Sequence, residues 1–302
     1  MESIQDDAPL MNDSANPVFD TRALPTWLGL AGISLVLLAM MTQAASVLIS
    51  GIEPAAHTQF QSELQQGLRI ALLLVSIGAL TRLAPPGSSQ WQWAVRLALT
   101  VLAIGVAAEL FATTGGTATL DRHLGVSNGL EYRLFRLGAM ATFAVPMLTL
   151  LAASEPKPAA ARSDGSAWGR IGAFLVRWEG TLFAVGVSTL PLILLAGAFV
   201  NRELTWLSPI GADTTFAACV AASIRARSRR DRLACSGWLA VSISMGIGLL
   251  MGVYSFGGPL PAPTMIGDYD DIIRVLLRSG HVVLMSIGFV AIGLAGIRGQ
   301  RV

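Results

Sequence analysis

Long apolar segments alternate with short polar loops along most of this chain. The segments show no alternation of apolar and polar positions at period two, so they predict helices rather than the strands of a membrane barrel. Crossing a hydrocarbon core about 30 Å thick takes roughly 17 to 25 helical residues. By that rule the pattern predicts about eight transmembrane helices, at residues 27–50, 66–83, 91–112, 132–153, 179–200, 205–224, 233–255 and 275–297.

Residues of the first half recur in the second half at a constant interval. Gly257 follows Gly115 by 142 residues, and Arg278 follows Arg136 by the same 142. Internal similarity of this kind predicts a duplicated fold, and an even number of spans in each copy makes the copies parallel. The predicted fold class is therefore all-α integral membrane, with two parallel four-helix repeats. The recurring residues are Gly115, Gly116, Gly125, Leu134, Arg136 and Gly138, matched by Gly257, Gly258, Gly267, Leu276, Arg278 and Gly280.

A segment rich in small and polar residues separates the fourth and fifth predicted spans, where a duplication places its joint. Ahead of the first span lies an acidic stretch without the basic start of a secretory signal, which predicts an uncleaved, disordered cytoplasmic tail. The predicted domains are the tail at 1–26, a first membrane half at 27–153, a cytoplasmic linker at 154–167 and a second membrane half at 168–302.

Composition and charge support this interpretation. Hydrophobic residues are 53% and charged residues 13% of the 302 residues, and the mean hydropathy is +0.60, which excludes an ordinary soluble domain. Five arginines lie between 225 and 232, whereas the loop at 51–65 contains no Lys or Arg. Because short cytoplasmic loops are rich in these residues, we predict an inner (plasma) membrane protein with both termini in the cytoplasm. The stretch 168–177 is predicted to lie along the inner membrane interface. The lipid bilayer is the expected partner, and nucleic acid is not expected because the basic residues lack interleaved aromatics.

The most informative charged residue is Asp213. It lies about two turns inside the predicted span 205–224, and a charge at a helix centre in a membrane costs about 2.5 to 3.5 kcal/mol. Arg69 occupies the pseudo-equivalent position in the second span, so we predict an ion pair between them. This pair either locks the two halves together or exchanges its arginine for a proton or solute.

Further charges fall on the predicted outer side. Arg136 and Arg278 begin equivalent spans, and with Arg133 they predict a basic collar suited to a carboxylate or phosphate, the alternative being contact with lipid phosphates. Glu109 completes the predicted ligand-binding set, which consists of Arg69, Glu109, Arg133, Arg136, Asp213 and Arg278.

Three histidines are candidate metal ligands. His281 begins the last predicted span, whereas His57 and His123 lie in outer loops. Haem or copper ligation usually requires a second ligand at similar depth, and only His281 is placed in the membrane, so a hydrogen-bonded structural role is favoured and no cofactor is expected.

These features support three functional hypotheses. The first is binding or translocation of a small anionic or proton-coupled solute through an outward-facing polar cavity. The second is a redox subunit that holds haem or copper through His281, with His57 or His123 as co-ligand. The third is a non-catalytic membrane scaffold. The sequence contains no P-loop, HExxH or dinucleotide fingerprint, which argues against an enzyme.

Overall fold

The computed structural model describes residues 89–111, 130–155, 165–254, 263 and 272–299. Helix accounts for 93% of the described residues, and these segments contain no strand. The all-α fold class is therefore confirmed for this part of the chain. The predicted spans 27–50 and 66–83 lie outside the described residues. The helices are α1 (Ser89–Phe111), α2 (Leu130–Ser154), α3 (Ala167–Phe199), α4 (Ser208–Ser228), α5 (Arg232–Val253) and α6 (Ile272–Gly299), with a 3₁₀ helix at Arg202–Leu207.

Four segments are long and apolar enough to cross a membrane. They are Leu137–Ser154, Ala167–Phe199, Arg202–Ser228 and Arg232–Val253, and a shorter apolar stretch covers Gly280–Gly296. Their lengths and compositions indicate a helical membrane protein. The total of eight spans, the two repeats and the domain boundaries remain predictions.

Polar side chains cap the helix starts where the chain leaves a loop. The Ser166 hydroxyl accepts a hydrogen bond from the Gly169 amide at 2.9 Å ahead of α3. The Asp231 carboxylate accepts one from the Ala234 amide at 3.0 Å ahead of α5. Each cap satisfies an amide that has no partner within its helix.

Helix α3 lies at the centre of the described bundle. It packs against α1, α2 and α4, while α5 packs between α4 and α6. One buried cluster joins all six described α-helices around Phe183 and Trp238, and a second fills the space between α1, α2 and α3 around Leu102 and Phe143. Residues far apart in sequence therefore share one core.

Glycines allow the closest helix crossings. A Cβ atom at Gly211 of α4 would lie 2.5 Å from the backbone nitrogen of Leu190 in α3. A Cβ atom at Gly288 of α6 would lie 2.7 Å from the Gly237 carbonyl oxygen in α5. Membrane helices associate through such small-residue contacts because lipid removes the usual hydrophobic gain from burial.

The residues that suggested a repeat occupy different surroundings. Leu134 is fully buried, whereas its counterpart Leu276 is 52% exposed. A Cβ atom at Gly138 would lie 2.8 Å from Leu195, whereas one at Gly280 would meet no atom of the described residues within 4 Å. These positions do not confirm the repeated arrangement.

The described bundle has two ends. The end of α2 lies beside the end of α4 and the start of α5, and we call this the Glu155 end; the opposite end is the Trp206 end. Trp178 and Trp206 are 44% and 58% exposed, as expected for tryptophans at the two membrane interfaces. The helical stretch from Trp178 to Phe199 rises about 33 Å at about 1.5 Å per residue, close to the thickness of a hydrocarbon core.

Helix α3 extends beyond that stretch. Its 33 residues rise about 50 Å, so the first turns project past Trp178 at the Glu155 end. The sequence predicted a span that begins at residue 179, with residues 168–177 along the interface. In the structure these residues instead continue α3 without a break.

Candidate functional site

The side chains of most candidate site residues predicted from the sequence lie outside the described part of the chain. His57, Arg69 and His123 lie outside the described residues. The backbone of Glu109 is described in α1, that of Arg133 and Arg136 in α2, and that of Arg278 in α6, but their side chains lie outside the described set. The ion pair, the basic collar and the polar cavity therefore remain predictions.

Asp213 lies in the second turn of α4 and is exposed. Among the described residues, no cation forms a salt bridge with it. The neighbouring hydroxyls are used within the helix, since Thr214 donates to the Ile210 carbonyl and Thr215 to the Gly211 carbonyl, each at 2.7 Å. An exposed carboxylate that faces away from the described core is accessible to a solute or to a helix that packs there.

His281 joins α6 to α5. Its Nδ1 donates to the Ser244 carbonyl at 2.6 Å, and the Ser244 hydroxyl donates to the His281 carbonyl at 2.5 Å. Gly248 provides the space, because a Cβ atom there would lie 2.9 Å from the imidazole. These hydrogen bonds hold α6 against α5; whether His281 also binds a metal stays a prediction. The same hydrogen bonds leave Nε2 as the ring nitrogen available to a metal, and no group of three or more potential ligands occurs among the described residues.

Two glutamates and two arginines form a buried cluster at the Glu155 end. Arg225 donates from Nε and Nη2 to the two carboxylate oxygens of Glu179, each at 2.8 Å, which is a bidentate pair. The Arg225 Nη1 also donates to Glu155 Oε2 at 2.7 Å. Arg229 Nη2 donates to the same oxygen at 2.6 Å. Trp238 Nε1 donates to Glu155 Oε1 at 2.6 Å.

Four helices contribute to this cluster. Glu155 directly follows α2, Glu179 lies in α3, Arg225 occupies the last turn of α4, and Trp238 lies in α5. The guanidinium fits because its helix neighbours are small: Ala221, Ala222 and Ala226 are fully buried alanines. The cluster therefore ties four helices together at one level of the bundle.

Among the described residues, the cluster contains two carboxylates and two guanidinium groups. The side chains of Arg225 and Glu179 are 1% and 2% exposed, and that of Glu155 is 9% exposed. Buried ions are tolerated only when they are paired and hydrogen-bonded. Every carboxylate oxygen here accepts at least one bond from a charged or indole donor, so the cluster satisfies that condition.

A row of aromatic rings covers the cluster on its membrane side. The Phe183 ring lies 6.0 Å from Trp91 and 6.1 Å from Trp238, measured between centroids. Trp91 is 5% exposed, and the other two are fully buried. These rings connect α1, α3 and α5 beside the ion pairs.

Comparison with known proteins does not assign this chain to a family. No family model matches it, and neither a curated protein nor a solved structure shows significant similarity.

The sequence analysis did not predict the cluster. It assigned Arg225 to a basic cytoplasmic loop, Glu155 to the linker and Glu179 to the boundary of a span. The usable signal was an arginine close to several alanines, together with an acidic residue beside an apolar segment. Such residues in membrane helices usually have partners.

Proposed function

We propose that the protein is a multi-pass membrane protein that moves a small anionic or proton-coupled solute, and that the ion-pair cluster closes its pathway at the Glu155 end. The observation that supports this proposal is the buried cluster of Glu155, Glu179, Arg225 and Arg229. Ionisable residues within membrane helices are costly and commonly belong to solute or proton pathways.

The cluster divides into a fixed part and a releasable part. The Glu179–Arg225 pair is bidentate and almost fully buried, so it holds α3 against α4. Glu155 lies at the edge of the cluster, just beyond the end of α2, and Arg229 is 20% exposed. Movement of the end of α2 would release Glu155 from Arg225, Arg229 and Trp238 while leaving the inner pair intact.

The closed Glu155 end and the accessible Asp213 suggest how the solute enters. In this proposal, the solute enters from the Trp206 end, where Asp213 with Arg69 exchanges a proton or an anion. The collar of Arg136 and Arg278 attracts the anion, and Arg133 and Glu109 contribute to the same region. Release then requires the ion-pair cluster to open, which is the alternating access used by transporters.

The topology that accompanies the proposal places the Glu155 end in the cytoplasm. Exposed Arg227, Arg230 and Arg232 lie at this end, and cytoplasmic loops are rich in such residues. The protein then lies in the inner membrane, with both termini on the cytoplasmic side.

Reconstitution into proteoliposomes tests the transport proposal. A pH-sensitive dye is trapped inside, a pH gradient is imposed, and chloride, phosphate or acetate is added outside. We expect the wild-type protein to collapse the gradient faster than protein-free vesicles with at least one anion. The Asp213→Asn variant is expected to fall to the rate of protein-free vesicles.

Glu203→Gln is the matched control, because Glu203 is another exposed acidic residue at the Trp206 end. Its rate is expected to equal that of the wild type. Equal rates for the wild type, Asp213→Asn and empty vesicles with every anion would contradict the proposal.

The alternative function is a redox role through His281, and the contact between His281 and Ser244 supports it. A metal-ligating histidine usually donates its other ring N–H to a carbonyl or carboxylate, as His281 does to Ser244. A haem band in the absorption spectrum of the purified protein would support this function over transport. A scaffold would instead show neither flux nor colour.

A further inference from the structure

The first turns of α3 present a stripe of exposed apolar side chains at the Glu155 end. Trp168 is 80% exposed, Ile171 49%, Phe174 60% and Trp178 44%. Spacings of three and four residues place all four on one side of the helix. The Phe174 and Trp178 rings lie 6.3 Å apart, so the lower part of the stripe forms a continuous aromatic surface. The stripe continues directly from the residues that span the membrane.

An adjoining face of the same turns is basic. Arg170 and Arg177 are exposed and lie seven residues apart, which is two helical turns. Arg170 donates one hydrogen bond to the Gly165 carbonyl at 3.0 Å, which leaves its other N–H groups available. Within the described residues, no acidic side chain forms a salt bridge with either arginine. Their charge is therefore available to an anion from outside the bundle.

We propose that this surface binds an acidic phospholipid, with the phosphate group between Arg170 and Arg177 and an acyl chain that runs from there along Phe174 and Trp178 toward the membrane core. Trp178 lies at the boundary of the hydrocarbon core and Trp168 lies beside the headgroup, as tryptophans do at membrane interfaces. The inference is independent of transport.

Charge complementarity selects this occupant. Exposed Arg227, Arg230 and Arg232 lie at the same end of the bundle, so the positive field extends beyond the two arginines of α3. A second copy of the chain would present the same positive charge and be repelled. An acidic lipid leaflet supplies both the negative charge and the hydrocarbon that the stripe requires.

Lipid retention by the full-length protein tests the site. The protein is purified with limited delipidation and then incubated with phosphatidylglycerol or phosphatidylcholine, and bound lipid is counted by native mass spectrometry. We expect the wild type to retain phosphatidylglycerol preferentially. The double variant Arg170→Gln/Arg177→Gln should weaken this binding about fivefold for each arginine, or about 25-fold together. Trp168→Ala/Phe174→Ala should weaken retention of both lipids.

Matched controls lie at the opposite end of the bundle. Arg202→Gln and Trp206→Ala replace exposed residues of the same types, and both should retain lipid as the wild type does. Thermal unfolding in phosphatidylcholine confirms that each variant is folded. Unchanged phosphatidylglycerol retention in the double arginine variant would overturn the proposal. Displacement of the lipid by an equal concentration of inorganic phosphate would also overturn it, because the stripe would then contribute nothing. A dimer of the wild type that dissociates in the Trp168→Ala/Phe174→Ala variant, without lipid preference, would assign the surface to a second copy instead.

Discussion

Replacing Arg225 by glutamine is expected to lower the free energy of unfolding by about 3 to 5 kcal/mol, the usual cost of breaking a buried ion pair by removing one partner. Arg225 donates three hydrogen bonds to the two glutamates of the cluster, and its loss leaves Glu179 without its bidentate donor. Glu179 would then be almost fully buried without a salt-bridge partner among the described residues. Thermal or denaturant unfolding of the purified protein measures this loss.

Arg227→Gln is the matched control for Arg225→Gln. Arg227 lies two residues further along α4 and is exposed, so its replacement should change the free energy of unfolding by less than about 0.5 kcal/mol. The double variant Glu179→Gln/Arg225→Gln removes both members of the pair and should recover part of the loss. Additive effects of the two single changes would show that Glu179 and Arg225 do not interact.

Replacing Gly211 by alanine is expected to cost about 1 to 3 kcal/mol of unfolding free energy, the range for forcing extra volume into a packed interior. The new methyl group would lie 2.5 Å from the Leu190 nitrogen and 2.8 Å from its Cα, and backbone atoms cannot move aside as a side chain does. The crossing of α3 over α4 must therefore widen. The same measurement of unfolding detects the change.

Gly252→Ala is the control for that prediction. Gly252 lies in the last turn of α5, and a Cβ atom there would meet no atom of the described part of the chain within 4 Å, so alanine should be neutral or slightly stabilising. If both glycine variants had the same stability, the close crossing of α3 and α4 would be wrong.

Apolar run length was enough to predict most of the described helices. The predicted span 132–153 lies within α2, and the predicted span 233–255 agrees with α5 to within two residues at either end. Helix α3 shows where this reasoning fails. Residues 168–177 mix arginines with apolar residues, and a hydropathy criterion assigns such a stretch to the flank of a span. Backbone hydrogen bonding in a helix does not require apolar side chains, so α3 continues back to the Ser166 cap.

The ion-pair cluster could not be predicted with the same ease because each member had a local explanation. Arginines near 225 are what the orientation rule expects in a cytoplasmic loop, and Glu155 belonged to a polar linker. The contacts join residues separated by 46 and 70 positions, a relation that no local pattern contains. Asp213 was predicted to be a charge inside a span, and it is exposed among the described helices. Its predicted partner, Arg69, lies outside the described residues.

The two native cysteines can be used to test whether the ion-pair cluster closes the Glu155 end of the bundle. Cys219 is fully buried and lies six residues before Arg225 on α4, about 9 Å further from the Glu155 end. Cys235 is only partly buried, so Cys235→Ser leaves the buried thiol as the single target. Glu155→Gln in that background removes the ion pairs at the edge of the cluster.

The most direct test of the account is the rate at which a water-soluble maleimide modifies Cys219 in folded protein. In Cys235→Ser we expect Cys219 to be protected, and in Cys235→Ser/Glu155→Gln we expect modification at least about tenfold faster, since loss of about 1.4 kcal/mol from the closed state gives that factor. Cys235→Ser/Glu203→Gln should behave as Cys235→Ser alone. Equal protection of Cys219 with and without Glu155, in proteins of equal thermal stability, would contradict the claim that this cluster closes the bundle.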